Sequence, residues 1–141
     1  MPLNDKKFRL CDTQVLGNAA DEMCTDTVDL GITSPGLEGL GPQWGLHMIV
    51  TTTYTGLASG AILWIVHSAA DDLSAGSIPG LVGMFIPVAS LVAGCHFFVP
   101  VPKGIALKRY VGAVFDIVNQ VATAGASTCW LGPDTDVGNE P

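Results

Sequence analysis

Three histidines, His47, His67 and His96, are the side chains of this chain best suited to bind a metal. A zinc site could combine them with Cys95, but no two of these residues have the i, i+2 or i, i+4 spacing of a ligand pair on a helix. Cys95 and His96 are adjacent, and neighbouring strand residues point to opposite faces. The spacing therefore predicts structural or surface histidines and no metal site.

No motif for hydrolysis or nucleotide binding is present. The sequence contains no Gly-x-Ser-x-Gly elbow, no Gly-x-Gly-x-x-Gly and no P-loop pattern. The carboxylates of Asp71 and Asp72 are a candidate calcium site, but no further oxygen donors follow at loop spacing, so we predict a solvated turn. We expect no catalytic residues, no cofactor and no enzymatic activity.

The four cysteines, Cys11, Cys24, Cys95 and Cys129, are scattered and form no Cys-x-x-Cys pair. Each is predicted to be a small, buried apolar residue. The first residues, MPLNDKKFRLCD, contain no apolar segment of a secretory signal peptide. We therefore expect no disulfides.

Charged residues make up 13 % of the chain, against about 25 % in ordinary soluble proteins. The net charge is −7, and all six cations fall in two short clusters. So few cations exclude nucleic acid as a partner, since binding it needs many phosphate contacts. We predict contacts with an acidic protein surface instead, although exposed charges also serve solubility and such ion pairs contribute only about 0–1 kcal/mol each. With two nearby aromatic residues, the candidate partner interface is Lys6, Lys7, Phe8, Arg9, Trp44, Lys103, Lys108 and Arg109.

Residues 39–70 and 73–102 carry no charged side chain. Each stretch exceeds the about 20 residues that a membrane-spanning helix requires, so a small, holin-like membrane protein is the alternative interpretation. However, Thr and Gly interrupt the first stretch at its middle, and proline within a helix costs about 3 kcal/mol or more. The second stretch contains four prolines: Pro79, Pro87, Pro100 and Pro102. Short β-strands fit both stretches better than helices, and no membrane partner is expected.

Alternating apolar runs predict about eight short strands, which together indicate an antiparallel, jelly-roll-like β-sandwich. We predict one domain over residues 1–131, with an irregular loop at 32–45 that ends near Trp44, followed by a mobile acidic tail at 132–141. The predicted strands are Phe8–Leu16, Thr25–Leu30, Leu46–Thr55, Ala61–Ser68, Gly83–Pro87, Gly94–Val99, Lys108–Val118 and Ala126–Leu131.

The strand segments together resemble a known family, the small cement or capsid-decoration proteins of tailed phages of the Bordetella-phage type. The resemblance extends over roughly residues 10–131, and its most telling part is Pro-Val-Pro-Lys-Gly followed by Lys-Arg-Tyr. The loop at 32–45 and the tail are longer than the family pattern leads us to expect. The matching segments are LCDTQ (10–14), VDLG (28–31), VTTTYT (50–55), AILWIVHSAADD (61–72), IPVASLVAG (86–94), VPVPKG (99–104), KRY (108–110) and ATAGAST (122–128).

This resemblance implies a homodimeric jelly roll, made in the host cytoplasm and bound to the outer surface of an icosahedral phage head. There it would stabilise contacts between major capsid protein subunits, without touching DNA. The residues also leave two other hypotheses of function open. One is the holin-like membrane protein, and the other is a carbohydrate-binding module in which Trp44 or Tyr54 stacks on a sugar.

Overall fold

The computed structural model describes residues 9–16, 21–29, 44–70, 73, 80–101, 108–118 and 122–133. These residues form nine strands and one short 3-10 helix, Val88–Ser90. The predicted all-β class is confirmed. The strands are β1 Arg9–Gln14, β2 Asp21–Met23, β3 Val28–Asp29, β4 Trp44–Thr55, β5 Gly60–Ser68, β6 Val82–Pro87, β7 His96–Pro100, β8 Tyr110–Val118 and β9 Ala124–Pro133.

The strands form two antiparallel sheets. Sheet A has the order β1-β9-β4-β7, and sheet B has the order β2-β8-β5-β6, with β3 also paired to β8. Since β2 and β3 both pair with β8, they act as two pieces of one strand position. The eight strand positions are then divided equally between the two sheets, in a double Greek-key order, which is the arrangement of a jelly roll. The predicted antiparallel β-sandwich is therefore confirmed.

The core lies between the sheets and is lined by alternate residues of the strands. On β4, Leu46, Met48 and Val50 face the core together. On β8, Val111 and Phe115 face the core from sheet B, at no more than 1 % exposure. Burying a side chain of this size stabilises the fold by roughly 1.5–3 kcal/mol, so these alternating runs hold the two sheets together.

One glycine of β9 allows a close approach within this core. Gly125 has a φ of +138°, and a Cβ at this position would lie 2.4 Å from the ring of Tyr54. The Tyr54 ring in turn packs 5.3 Å from the ring of Phe115, centroid to centroid. A residue without a side chain is therefore needed at position 125.

Both uncharged stretches contain β-strands in the residues that the structure describes. The first contains β4 and β5, and the second contains β6 and β7. The alternative interpretation of these stretches as spanning helices is therefore wrong. Within the described ranges, no helix has the length and apolar character needed to cross a membrane.

The structure differs from the sequence-based boundaries mainly in four places. Residues Asp21–Met23 form β2 where no strand was predicted, because the outer strand of a sheet tolerates charged side chains. Of the predicted strand Thr25–Leu30, only Val28–Asp29 is a described strand, β3. Trp44 and Gly45 begin β4 and do not belong to the loop predicted at 32–45. Strand β9 runs to Pro133, two residues past the expected start of the tail. The rest of that loop, 32–43, and of that tail, 134–141, lies outside the described residues.

Candidate interaction surface

The longest connections all leave from one end of the sandwich. Only residues 56–59 join β4 to β5, and so short a segment, at about 3.6 Å per residue, must join strand ends on the same side. The antiparallel registers then place the start of β4 and the end of β5 together at the opposite side. Three connections leave from that side: 30–43, 69–81 and 101–109. We call this side of the sandwich the connection end.

The four described residues of the predicted interface lie at this connection end. Arg9 begins β1 opposite Trp130, and Trp44 begins β4 opposite Pro133, on the two sides of β9. Lys108 and Arg109 immediately precede β8. The structure thus brings together residues that the sequence separates by up to 100 positions. The other four candidates, Lys6, Lys7, Phe8 and Lys103, lie outside the described residues.

The cations at this end are held in defined positions. Arg109 donates two hydrogen bonds to the Asp29 carboxylate, at 2.8 and 3.0 Å, and its guanidinium lies 5.1 Å from the centre of the Tyr110 ring. The Asp29 hydrogen bonds raise the pKa of Arg109. Arg9 pairs with Asp12 at 3.0 Å. Such exposed pairs stabilise a fold by only about 0–1 kcal/mol, so their main effect is to fix charge in place.

Two aromatic candidates contribute less to the open surface than predicted. Trp44 is half-buried and packs against the core, so it is not the exposed anchor of a free loop. Tyr54 is only 3 % exposed and its hydroxyl lies 2.9 Å from Ser127 Oγ. Burial raises its pKa. The suggestion that Tyr54 stacks on a sugar is therefore wrong.

The outer face of sheet B carries exposed apolar side chains that the sequence analysis did not single out. Ile62 lies opposite Phe85, and Trp64 lies opposite Gly83, across β5 and β6. Phe85 is 51 % exposed, while Ile62 and Trp64 are half-buried. A Cβ on residue 83 would lie 2.6 Å from the Trp64 ring, so the ring lies flat over the glycine. We call these four residues the apolar strip.

Asp116 is a charged neighbour of the apolar strip. Trp64 Nε1 donates a hydrogen bond of 3.3 Å to the half-buried carboxylate of Asp116. This bond turns the carboxylate toward the indole. The alternation of residues along β5 could have predicted this strip. When alternate residues of a strand face the core, Ile62 and Trp64 lie on the opposite face and are exposed unless another element covers them.

Two of the three histidines meet on sheet A, which their spacing did not predict. His47 Nδ1 lies 2.8 Å from His96 Nε2, in a hydrogen bond between β4 and β7. The His47 ring stacks on Trp130 at 5.0 Å and contacts Phe98 at 4.7 Å. His47 and Trp130 are fully buried. The arrangement is that of an aromatic cluster on the outer side of sheet A.

His67 lies apart from this pair, at the connection end. Its Nδ1 accepts a hydrogen bond of 3.2 Å from the backbone N–H of Lys108. Partial burial, and then the charge of Lys108, lower the pKa of His67. The imidazole therefore stays neutral to a lower pH than an exposed histidine.

Three of the four cysteines also meet, inside the core. Cys11 on β1 pairs with Cys129 on β9, and Cys24 directly follows β2. Their Sγ atoms all lie within 4.8 Å of one another, and each residue is at most 4 % exposed. The predicted burial is confirmed for these three, whereas Cys95 is half-buried. Hydrogen bonds with Cys129 and then with Cys24 lower the pKa of Cys11, whereas the hydrogen bond with Cys11 raises the pKa of the Cys24 thiol. We call Cys11, Cys24 and Cys129 the thiol cluster.

Comparison with protein-family models gives a match. A family model described as Bbp16 matches residues 10–131, from β1 through β9. The match includes Trp44, Lys103, Lys108 and Arg109 but leaves out the candidates that precede residue 10. No curated protein sequence matches the chain.

Proposed function

The chain belongs to the Bbp16 family, and on this premise we propose that it is a capsid decoration protein, or cement protein, of a tailed phage. In this role it binds the outer surface of an icosahedral head and stabilises the contacts between major capsid protein subunits. Family membership is consistent with a Bordetella-phage protein. The proposed role is structural and not enzymatic, and the chain reaches the virion surface after synthesis in the host cytoplasm.

The structural observation that carries the proposal is the apolar strip. Exposed apolar patches on small proteins commonly mark protein interfaces, and aromatic side chains such as Phe85 and Trp64 dominate the energetics of those interfaces. Phe85 exposes 51 % of its surface on β6, the outer strand of sheet B, where it lies opposite Ile62 of β5. An exposed aromatic side chain held in a strand in this way suits a permanent partner.

We assign the apolar strip to a second copy of the chain. In a twofold dimer the same patch faces itself, so any charge on it would oppose an identical charge. Ile62, Trp64, Gly83 and Phe85 carry none, and the nearest carboxylate, that of Asp116, accepts a hydrogen bond from Trp64. The strip is thus self-complementary, in keeping with the homodimer that we expected from the resemblance.

We assign the connection end to the major capsid protein. The chain has a net charge of −7, yet its three described cations, Arg9, Lys108 and Arg109, all lie at this end. The other three cations, Lys6, Lys7 and Lys103, are within five residues of them along the chain. Arg9 and Arg109 each pair with a carboxylate of the chain itself. Even so, cations concentrated at one end of an acidic protein favour an acidic partner surface and orient the protein as it binds. Many copies on one closed shell would then sum weak contacts through multivalency.

Co-sedimentation with mature heads that lack the protein tests this proposal. We expect saturable binding of the purified chain, and weaker binding of the double variant Lys108→Ser, Arg109→Ser. The matched control is Val92→Glu, Ala93→Glu, which changes the net charge by the same amount at exposed positions of the opposite end. Equal binding of both variants would contradict the assignment of the connection end, and no binding of the unmodified chain would contradict the cement role.

A further inference from the structure

The thiol cluster joins the two sheets across the core. Cys11 and Cys129 are paired residues of sheet A. Cys24 belongs to the sheet B side, where its backbone N–H donates a hydrogen bond of 2.9 Å to the carbonyl of Ala113 on β8. Its Sγ nevertheless lies only 3.5 Å from Cys11 Sγ. Three separate chain segments therefore direct one sulfur each to a single point between the sheets.

The spacing of these sulfurs fits a bound cation. A Zn–S bond is about 2.3 Å long, which separates two sulfurs by about 3.8 Å in tetrahedral geometry and by about 4.0 Å in trigonal geometry. The observed sulfurs are 3.5 Å apart for one pair and no more than 4.8 Å apart for any pair. Shifts below about 1 Å, which a change of side-chain torsion supplies, would bring all three to bonding distance.

The donor set defines the class of cation. Thiolate sulfur is a soft ligand that selects Zn²⁺ and Cu⁺ over hard ions such as Mg²⁺ and Ca²⁺. Three thiolates complete the coordination of Cu⁺, whereas Zn²⁺ takes a fourth ligand. The carbonyl oxygen of Ser127 accepts a hydrogen bond of 3.5 Å from Cys11 Sγ and lies at the margin of the cluster.

We propose that Cys11, Cys24 and Cys129 bind one thiophilic cation, Zn²⁺ or Cu⁺, which ties sheet A to sheet B. Binding replaces the three thiol protons, which leave to solvent, and forms three metal–sulfur bonds without any change of oxidation state. This site departs from our expectation that the chain binds no metal. It does not depend on the proposed capsid role.

Metal titration of the reduced, metal-free full chain tests the site. We expect Co²⁺ to bind at one per chain with a near-ultraviolet sulfur-to-metal absorption band, and Zn²⁺ to displace it. A parallel titration with Cu⁺ under anaerobic conditions, against a chromophoric chelator, ranks the two ions. Because the site closes only in the folded state, the bound ion is also expected to raise the Tm.

Cysteine variants provide the controls. Cys24→Ala is expected to lower the affinity at least about 100-fold, since loss of a mere supporting contact already lowers metal affinity 10- to 100-fold. Cys95→Ala, which removes the cysteine outside the cluster, is expected to bind as the unmodified chain does. Alkylation of the unmodified chain gives a readout that does not depend on variant folding. Because burial alone slows the alkylation of the cluster thiols, the metal-bound chain is compared with the metal-free chain: bound metal should slow the reaction of three thiols further and leave the rate at Cys95 unchanged.

Two outcomes would overturn the site. One is the absence of Co²⁺, Zn²⁺ and Cu⁺ binding at micromolar concentrations by the reduced chain. The other is metal binding that Cys24→Ala retains and Cys95→Ala loses. Binding of Cu⁺ alone, or of Zn²⁺ alone, supports the site and identifies its ion.

Discussion

Replacing Phe85 with serine is expected to dissociate the proposed homodimer while leaving the protomer folded. A Phe side chain presents about 150–250 Å², and Phe85 is 51 % exposed in the single chain, so a partner can cover about 100 Å² of it. At about 25 cal/mol per Å², this area is worth about 2.5 kcal/mol. A twofold dimer contains the side chain twice, which gives about 5 kcal/mol. Since each 1.4 kcal/mol is a factor of ten, the dimer Kd should rise by about a thousandfold or more.

Sedimentation-equilibrium centrifugation over a range of concentrations measures this Kd, and urea unfolding measures the stability of the protomer. The matched control is Val92→Ser, which removes another exposed apolar side chain, 40 % exposed, far from the strip. We expect the control to keep the dimer Kd unchanged. A Phe85→Ser dimer as tight as the unmodified one, or a chain that is monomeric throughout, would refute the assignment of the apolar strip.

Three further predictions concern the fold. Gly125→Ala is expected to destabilise the protein by about 2 kcal/mol or more in urea unfolding, because a Cβ at φ +138° would overlap the Tyr54 ring; an unchanged midpoint would contradict that packing. Tyr54→Phe is expected to cost about 1–3 kcal/mol by leaving the buried Ser127 hydroxyl without its partner, whereas adding Ser127→Ala should cost little more, and a double-mutant cycle with strictly additive effects would contradict the bond. Folding lowers the pKa of His67 below 6.5, so the unfolded chain binds more protons at this residue than the folded chain does. The free energy of unfolding should therefore fall as the pH drops through and below 6.5. Urea midpoints measured across this pH range should depend less on pH in the variant His67→Gln.

The sequence was sufficient to predict the strands that follow a simple alternation. Leu46, Met48 and Val50 share the core face of β4 because apolar residues recur at every second position. Proline and glycine in the second uncharged stretch likewise separated β6 from β7 correctly. In contrast, Asp21 and Glu22 concealed β2, because an edge position accepts residues that usually mark a turn.

Contacts between side chains on different strands could not be predicted in the same way. His47 and His96 are 49 residues apart and meet only through the β4–β7 register. Cys11 and Cys129 meet only because β9, the last of the nine described strands, pairs with β1, the first. Such long-range registers depend on the order of strands in the sandwich, which spacing along the chain does not contain. The connection end gathers Arg9, Trp44 and Arg109 for the same reason.

The most direct test of the cement role is the disruption temperature of mature heads that lack the protein, measured with increasing amounts of the purified chain. The account predicts that this temperature rises and then saturates as the outer sites fill, with a smaller rise for the variant Lys108→Ser, Arg109→Ser. Heads that disrupt at the same temperature with and without a saturating amount of the chain would contradict it.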